Sequence, residues 1–231
     1  MLKKAAKTKI RPPLNRERVL RAALAMVDRS GIEGLSMRSV AGELGVEAMS
    51  LYRHVANKEA LIDGMVALIL DEIEVPPAGT RWREAMTRRA LSTRSVFLKH
   101  PAAAIIVESC GTMTPSRLAY SDAVVGLLLA DGFTASAAYK AFLTIDSYVF
   151  GFMLQELNWP HPTDTKPAQD VATGPMVPPA LYPHFAEVMA SVMEEVGRLG
   201  LVAAYEAEFV FGLDLVLDGV ERLKRLKRTA C

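Results

Sequence analysis

The chain has 231 residues, ample for one hydrophobic core and enough for two small domains, and at 51% hydrophobic and 23% charged it is globular rather than disordered. Its longest apolar run, near Ala123–Ala130, falls far short of the roughly 20 residues of a membrane span, and the basic N-terminus lacks the apolar stretch of a secretory signal. The net charge of +1 conceals a division: residues 1–60 carry twelve Lys/Arg against six Asp/Glu, whereas residues 61–231 carry fifteen against twenty, so a basic head sits on an acidic body.

The charge begins in an arm, residues 1–14, with Lys3, Lys4, Lys7, Lys9 and Arg11 and no acid. A solvated tail would explain the arm alone, but the basic residues continue into the folded part. Asn15 is a predicted N-cap and Gly31 a predicted C-terminal stop, with Leu20, Ala23, Leu24 and Val27 forming one apolar stripe between them. A second helix opens at Ser36, places Met37, Val40, Ala41 and Leu44 on one face, and closes at Gly45.

The next stretch, GVEAMSLYRHVANKEAL, predicts a helix of only about two turns over Gly45–His54, too short to hold itself together in water. Leu51 and Val55 lie one turn apart and predict an inward face. Ala48, Met49, Tyr52 and Arg53 fall on the opposite face. Three short helices with a tight glycine turn before the last describe a helix-turn-helix, with the short helix sized for a DNA major groove. In that role Arg53 suits a guanine edge or a phosphate, and Ala48 and Met49 suit a thymine methyl. Ser50, Tyr52 and His54 suit phosphate oxygens, and Arg38 lies beside the backbone or reaches a base. Lys58 follows Asn57 at the start of a fourth helix, where the dipole attracts phosphate. The acidic Glu47 reads as a stabiliser of the helix start. Taken singly, Arg53 and His54 are ordinary surface residues; the wheel, the glycine turn and the basic head together favour DNA.

The fourth helix places Leu61, Met65, Leu68 and Ile69 on one face and is broken by VPPAG at Val75–Gly79, the predicted boundary between a domain over 15–75 and one over 80–231. Thr80 predicts the cap of a helix running towards His100, where Pro101 breaks it. Another helix starts at Pro115 after Thr114 and ends at Asp131–Phe133. Residues 135–159 predict a long apolar helix, Pro160–Pro179 a long proline-rich loop, and 180–198 and 203–228 two further helices. No strand or internal repeat is legible, so the fold class is all-α. In the last helix Phe209, Leu213, Leu215, Val216, Leu217 and Val220 make an apolar surface too wide for one face, which with the 135–159 helix predicts a four-helix bundle across a two-fold axis.

The segment GIEGLSMRSVAGELGVEAMSLYRHVANKEALIDGM, Gly31–Met65, resembles the DNA-binding signature of the TetR family of bacterial repressors, nearly continuously across Asn15–Leu70. The TRWREAM after the proline break, the HP at His100–Pro101 and FVFGLDLVLDGVERL at Phe209–Leu223 resemble the layout of the tetracycline-sensing members. The resemblance implies an all-helical homodimer in which a reading head is joined by helix four to a domain for dimerisation and a small organic effector. It implies DNA contacts at Arg38, Ala48, Met49, Ser50, Tyr52, Arg53, His54 and Lys58. It further implies a palindromic double-stranded operator released on effector binding, with helix four as lever.

The sequence departs from the tetracycline-sensing pattern. Val107 stands where those members have a metal-coordinating histidine, Arg89 and Thr93 stand where they have an asparagine and a phenylalanine around the drug, and Glu74 replaces a histidine. Valine cannot ligate a metal, so no metal and no cofactor is expected, and binding of magnesium–tetracycline in the familiar way is not expected. The candidate effector core comprises Met86, Arg89, Thr93, Phe97, Val107, Asp146, Phe150 and Met153, although aromatic and methionine residues at helical spacing are more often plain core. Asp146, in an apolar stretch, requires a partner: an arginine across the dimer or a ligand.

No catalytic residue is expected. There is no Gly-x-Ser-x-Gly, no paired metal motif and no phosphate loop, and the four histidines are scattered. Cys110 and Cys231 lack metal-like spacing, and a buried structural thiol is the better reading of Cys110. A reduced cytoplasmic protein with no membrane attachment follows. A helical adaptor would explain the bundle but not the basic head.

Overall fold

The computed structural model describes residues 13–109, 113–158 and 178–225. The basic arm up to residue 12, most of the Pro160–Pro179 loop, Cys110 and Cys231 lie outside the described residues. Ten helices and no strand make up what is described: α1 Arg16–Ser30, α2 Met37–Leu44, α3 Ala48–Leu51, α4 Lys58–Glu72, α5 Trp82–Lys99, α6 Pro101–Ser109, α7 Pro115–Ala130, α8 Ala135–Asn158, α9 Pro183–Leu199 and α10 Leu201–Arg225.

In the head, the helix ends are set locally. Asn15 Oδ1 accepts from the Arg18 amide at 2.8 Å, and Asn57 Oδ1 accepts from the Ala60 amide at 2.8 Å. Ser36 and Ser39 form a reciprocal capping box at the start of α2. Gly45 ends α2 in the left-handed region at φ 64°, a conformation that a side chain would strain, and turns the chain directly into α3. Leu20, Ala23, Leu24 and Val27 of α1, Met37, Val40 and Ala41 of α2, and Leu61, Met65 and Ile69 of α4 are buried together.

The same apolar cluster continues into the body, taking in Val96 and Phe97 of α5, Ile106 and Val107 of α6 and Met153 of α8. α4 packs on α1 in the head and on α6 and α7 in the body. Polar contacts reinforce this seam: Asp28 of α1 meets His100 Nδ1 at 2.7 Å, and Glu72 of α4 accepts from Lys99 at 2.6 Å. A second cluster, deeper in the body, gathers Trp82 and Met86 of α5, Val124 and Leu128 of α7, Ile145 and Val149 of α8, and Phe209, Leu213 and Leu217 of α10.

Several elements differ from expectation. α3 is α-helical over only four residues, the rest of the predicted two turns being a turn in which the Leu51 carbonyl accepts from both His54 and Val55. Thr80 does not cap α5. Its hydroxyl donates to the Pro77 carbonyl at 2.8 Å, closing the proline turn, and Arg81 occupies the cap position without a side-chain bond. α6 is an additional helix: Pro101 not only breaks α5 but heads the next helix, where its missing N–H is not needed. α9 begins at Pro183, after a turn in which Leu181 and Tyr182 donate to the Pro178 carbonyl, and α10 follows α9 after the single residue Gly200 at φ 82°.

Candidate DNA-reading face and effector core

α3 is held from one side. Leu51 is fully buried and Val55 nearly so, both in the cluster formed by α1, α2 and α4. The opposite side is open: Met49 is 72% exposed, Tyr52 is 47% exposed, and Arg53 is exposed. Ser50 and His54 are half-buried. Ala48 is also half-buried and packs against the apolar cluster, so it sits closer to the core than the helical wheel implied. Glu47 occupies the N-cap position without a side-chain capping bond, and its carbonyl accepts from the Ser50 amide. Arg38 is exposed in the first turn of α2, which packs on α3, and Lys58 is exposed as the first residue of α4. The residues free of the core thus include three cations, Arg38, Arg53 and Lys58, with hydroxyl donors and one long apolar side chain, the mixture that base edges and phosphates require.

The body residues predicted to line an effector site do not all meet. Phe97, Val107 and Met153 are buried in the cluster shared with the head, with Phe150 against it and its ring 5.2 Å from that of Phe97. Met86 belongs to the second cluster. Arg89, Thr93 and Asp146 do come together. Arg89 is only 3% exposed; it donates through Nε to the Tyr120 hydroxyl at 2.8 Å and through Nη2 to Asp146. Thr93 donates to the Arg89 carbonyl at 2.8 Å. The partner of Asp146 is therefore an arginine of its own chain rather than one across a dimer, because one α5 side chain spans to α8. Burial pushes the Asp146 carboxyl upward, against the pull of Arg89. Burial also disfavours the Arg89 cation, but Asp146 and Tyr120 outweigh it and the guanidinium is held above its ordinary value.

Tyr120 and Arg94 were missed in the sequence. Arg94 meets both oxygens of the buried Glu156, at 2.9 and 2.6 Å. Tyr120 is the lone aromatic of α7, and a hydroxyl on a helix otherwise rich in aliphatic residues was the available signal. An open cleft of about 580 Å³ between the start of α5 and the end of α10 is lined by Arg83, Arg88 and Lys224 among others. Those three are already paired, Arg83 with Asp214 and Asp218, Arg88 with Glu74 and Lys224 with Asp131, which leaves that cleft a solvated groove rather than a convergent site.

At Val107 the chain offers no side-chain ligand to a metal chelate. Val107 is buried and aliphatic, and its carbonyl accepts from Arg117. Among the described residues, no group of three or more His, Cys, Asp and Glu is placed to hold a metal.

An all-helical head with a glycine-turned short helix, joined by one long helix to a larger helical body, defines a helix-turn-helix regulator of the one-component kind. Residues 19–65 match "Bacterial regulatory proteins, tetR family" and residues 75–223 match "Tetracyclin repressor-like, C-terminal domain", so the chain belongs to the TetR family of bacterial DNA-binding transcriptional regulators. It is 33% identical over 228 residues to the HTH-type transcriptional repressor DrrR1 of Streptomyces coeruleorubidus, covering 94% of this chain and 81% of that one. Among solved structures, a possible TetR family transcriptional regulator from Streptomyces coelicolor A3(2) superposes with a TM-score of 0.71 at 27% identity, covering 90% of this chain and all of that one. The Streptomyces coelicolor TetR family protein ActR, in complex with (S)-DNPA, superposes with a TM-score of 0.69 at 25% identity, covering 92% and 99%. Regulators of this family bind operator DNA as dimers and respond to small molecules. Among the described residues, no helix is long and apolar enough to cross a membrane.

Proposed function

We propose that this protein is a cytoplasmic, non-enzymatic repressor that grips a palindromic operator as a homodimer and lets go when a small organic molecule enters its body. The single observation that supports the reading face most strongly is the two-sidedness of α3: Leu51 and Val55 anchor it while Met49, Tyr52 and Arg53 stand clear of the core. The division of labour follows the helices, with 15–75 as the reading head and 80–231 as the effector and dimerisation body. Exposed apolar side chains on α8 (Tyr139, Leu143) and α10 (Phe211, Leu215) supply the surface for a second copy. A two-fold dimer would set two α3 segments about one DNA turn apart, roughly 34–36 Å.

Release follows from linkage. An effector that binds the conformation with the wrong head spacing must weaken DNA binding by the same factor. α4 is the mechanical link, because it packs on the head through α1 and on the body through α6 and α7. The similar ActR, solved in complex with (S)-DNPA, supports a small-molecule effector. The buried Val107 and the paired Glu74 speak against a magnesium–tetracycline chelate.

The test is selection of bound sites from random DNA with the full chain, followed by affinity against salt. A palindrome is expected, with affinity falling steeply as salt rises but preference for that site retained. Arg53→Ala is expected to abolish the preference, at about 1–3 kcal/mol per lost base contact, whereas Lys58→Ala weakens all sequences alike. Equal weakening of every sequence by Arg53→Ala would show Arg53 to be a phosphate contact.

A further inference from the structure

Two arginines of α5 enter the body, and they are not equivalent. Arg94 is closed: both carboxylate oxygens of Glu156 face it, Glu156 is buried, and the Phe209 ring lies 5.7 Å from its guanidinium carbon. Arg89 is open in a specific sense. Its Nε and Nη2 are used by Tyr120 and Asp146, but Nη1 is buried and reaches no acceptor among the described residues. A buried donor left unused is costly and uncommon. Around it stand two flat apolar walls, the rings of Tyr120 and Phe142, each 5.5 Å from the Arg89 guanidinium carbon. Asp146 meets Arg89 through one oxygen, and its side chain is 20% exposed, whereas that of Arg89 is 3% exposed.

Those features describe an incomplete recognition site. A guanidinium presents donors in a planar fork that suits a carboxylate or similar anion, and the faces of flanking rings suit a flat conjugated ligand. We infer that Arg89 is the recognition group of the effector core and that it takes a flat aromatic anion of the carboxylate class, one oxygen of which engages the unused Nη1 while the other takes Nη2 in place of Asp146. This rests on the reading of the body as an effector domain and adds the ligand class to it. It also supplies a route to the head. Tyr120, bonded to Arg89, packs against both apolar clusters, and α7, which carries it, packs on α4. A ligand that shifts Arg89 away from Tyr120 therefore loosens the contact between the effector core and the lever.

The experiment is calorimetric titration of the full chain with 2-naphthoate and with the neutral 2-naphthamide. Naphthoate is expected to bind about tenfold or more tighter, as charge-assisted bonds are about twice as strong as neutral ones. Asp146→Asn removes the competing carboxylate and is expected to raise naphthoate affinity about tenfold while leaving naphthamide unchanged, whereas a purely structural pair would give no gain. Arg89→Gln combined with Asp146→Asn keeps a neutral hydrogen-bonded pair in the core and is expected to fold, by far-ultraviolet circular dichroism, but to lose the preference for the anion. Equal binding of the two probes, binding of neither, or weaker naphthoate binding by Asp146→Asn each overturn the inference. Operator release is followed separately by fluorescence anisotropy of the selected palindrome. If naphthoate binds as expected yet leaves the operator complex intact, the release reading fails and the Arg89 site stands. If naphthamide alone binds and releases the operator, the release reading stands and the Arg89 site falls.

Discussion

Asn15, Ser36 and Asn57 each cap a helix of the head through a backbone amide three residues on, whereas Arg94 in the body meets Glu156 across 62 positions of sequence. The head is specified by neighbours and then glued by a shared stripe of apolar residues. The body is specified by pairings between distant helices, α5 with α8 through Arg89–Asp146 and Arg94–Glu156, and α5 with α10 through Trp82–Glu221 and Arg83–Asp214. The two halves should therefore fail differently when a side chain is removed.

The largest loss is expected in the body. Glu156→Ala strands Arg94 in a site where both its carboxylate contacts are buried, and breaking a buried pair from one side costs about 3–5 kcal/mol. Urea unfolding followed by circular dichroism measures it, and Glu156→Ala combined with Arg94→Met should recover most of the loss. If the double variant is as unstable as the single, the pair is not what joins α5 to α8. In the head the corresponding loss comes from an apolar anchor. Leu51→Ala leaves a hole under α3 and is expected to cost about 2–5 kcal/mol and to lower operator affinity in the same variant, because the reading face loses its support.

The same contrast decides what the sequence could reveal. The α1 stripe from Leu20 to Val27, the Ser36 cap and the Gly45 stop were legible because their causes lie within a few residues. The buried side of α3 was legible too, from Leu51 and Val55 alone, although the helix is shorter than the wheel suggested because the Leu51 carbonyl is shared by His54 and Val55. In the body the sequence named Arg89, Thr93 and Asp146 as candidates. It could not show that Asp146 belongs to Arg89 of its own chain, since periodicity carries no information about which helix lies opposite. Tyr120 and Arg94 went unread for the same reason. α6 was lost to a local ambiguity: a proline ends one helix and begins the next with equal chemical ease.

Glycine substitutions sharpen the comparison within the head itself. A methyl group on Gly64 of α4 would fall 2.5 Å from Cδ2 and 2.8 Å from Cδ1 of Leu20, a buried side chain of α1. Gly42 of α2 has nothing within 4 Å of that position. Gly64→Ala is expected to destabilise by about 1–3 kcal/mol, because forcing apart two packed helices outweighs the gain in helix propensity. Gly42→Ala is expected to stabilise by about 0.5–1 kcal/mol. Thermal melts of the two variants should shift in opposite directions. A stabilised Gly64→Ala would mean that Leu20 has room to turn aside and that α1 and α4 are less closely fitted than their contact distance indicates.

The smallest effect tests the local half of the contrast most directly. Asn57 accepts the Ala60 amide and so satisfies one of the free donors at the start of α4, the helix that links head and body. Asn57→Ala is expected to cost about 1 kcal/mol, Asn57→Gly only a few tenths and Asn57→Asp nearly nothing, since aspartate both caps and suits the helix dipole. Denaturant unfolding gives the order of the three. Hydrogen exchange shows where the change falls, and faster exchange should be confined to the first turn of α4 if the cap acts locally. Should exchange rise along α5 and α6 as well, the cap would be holding the seam between head and body, and the separation of local from long-range specification would not extend to α4.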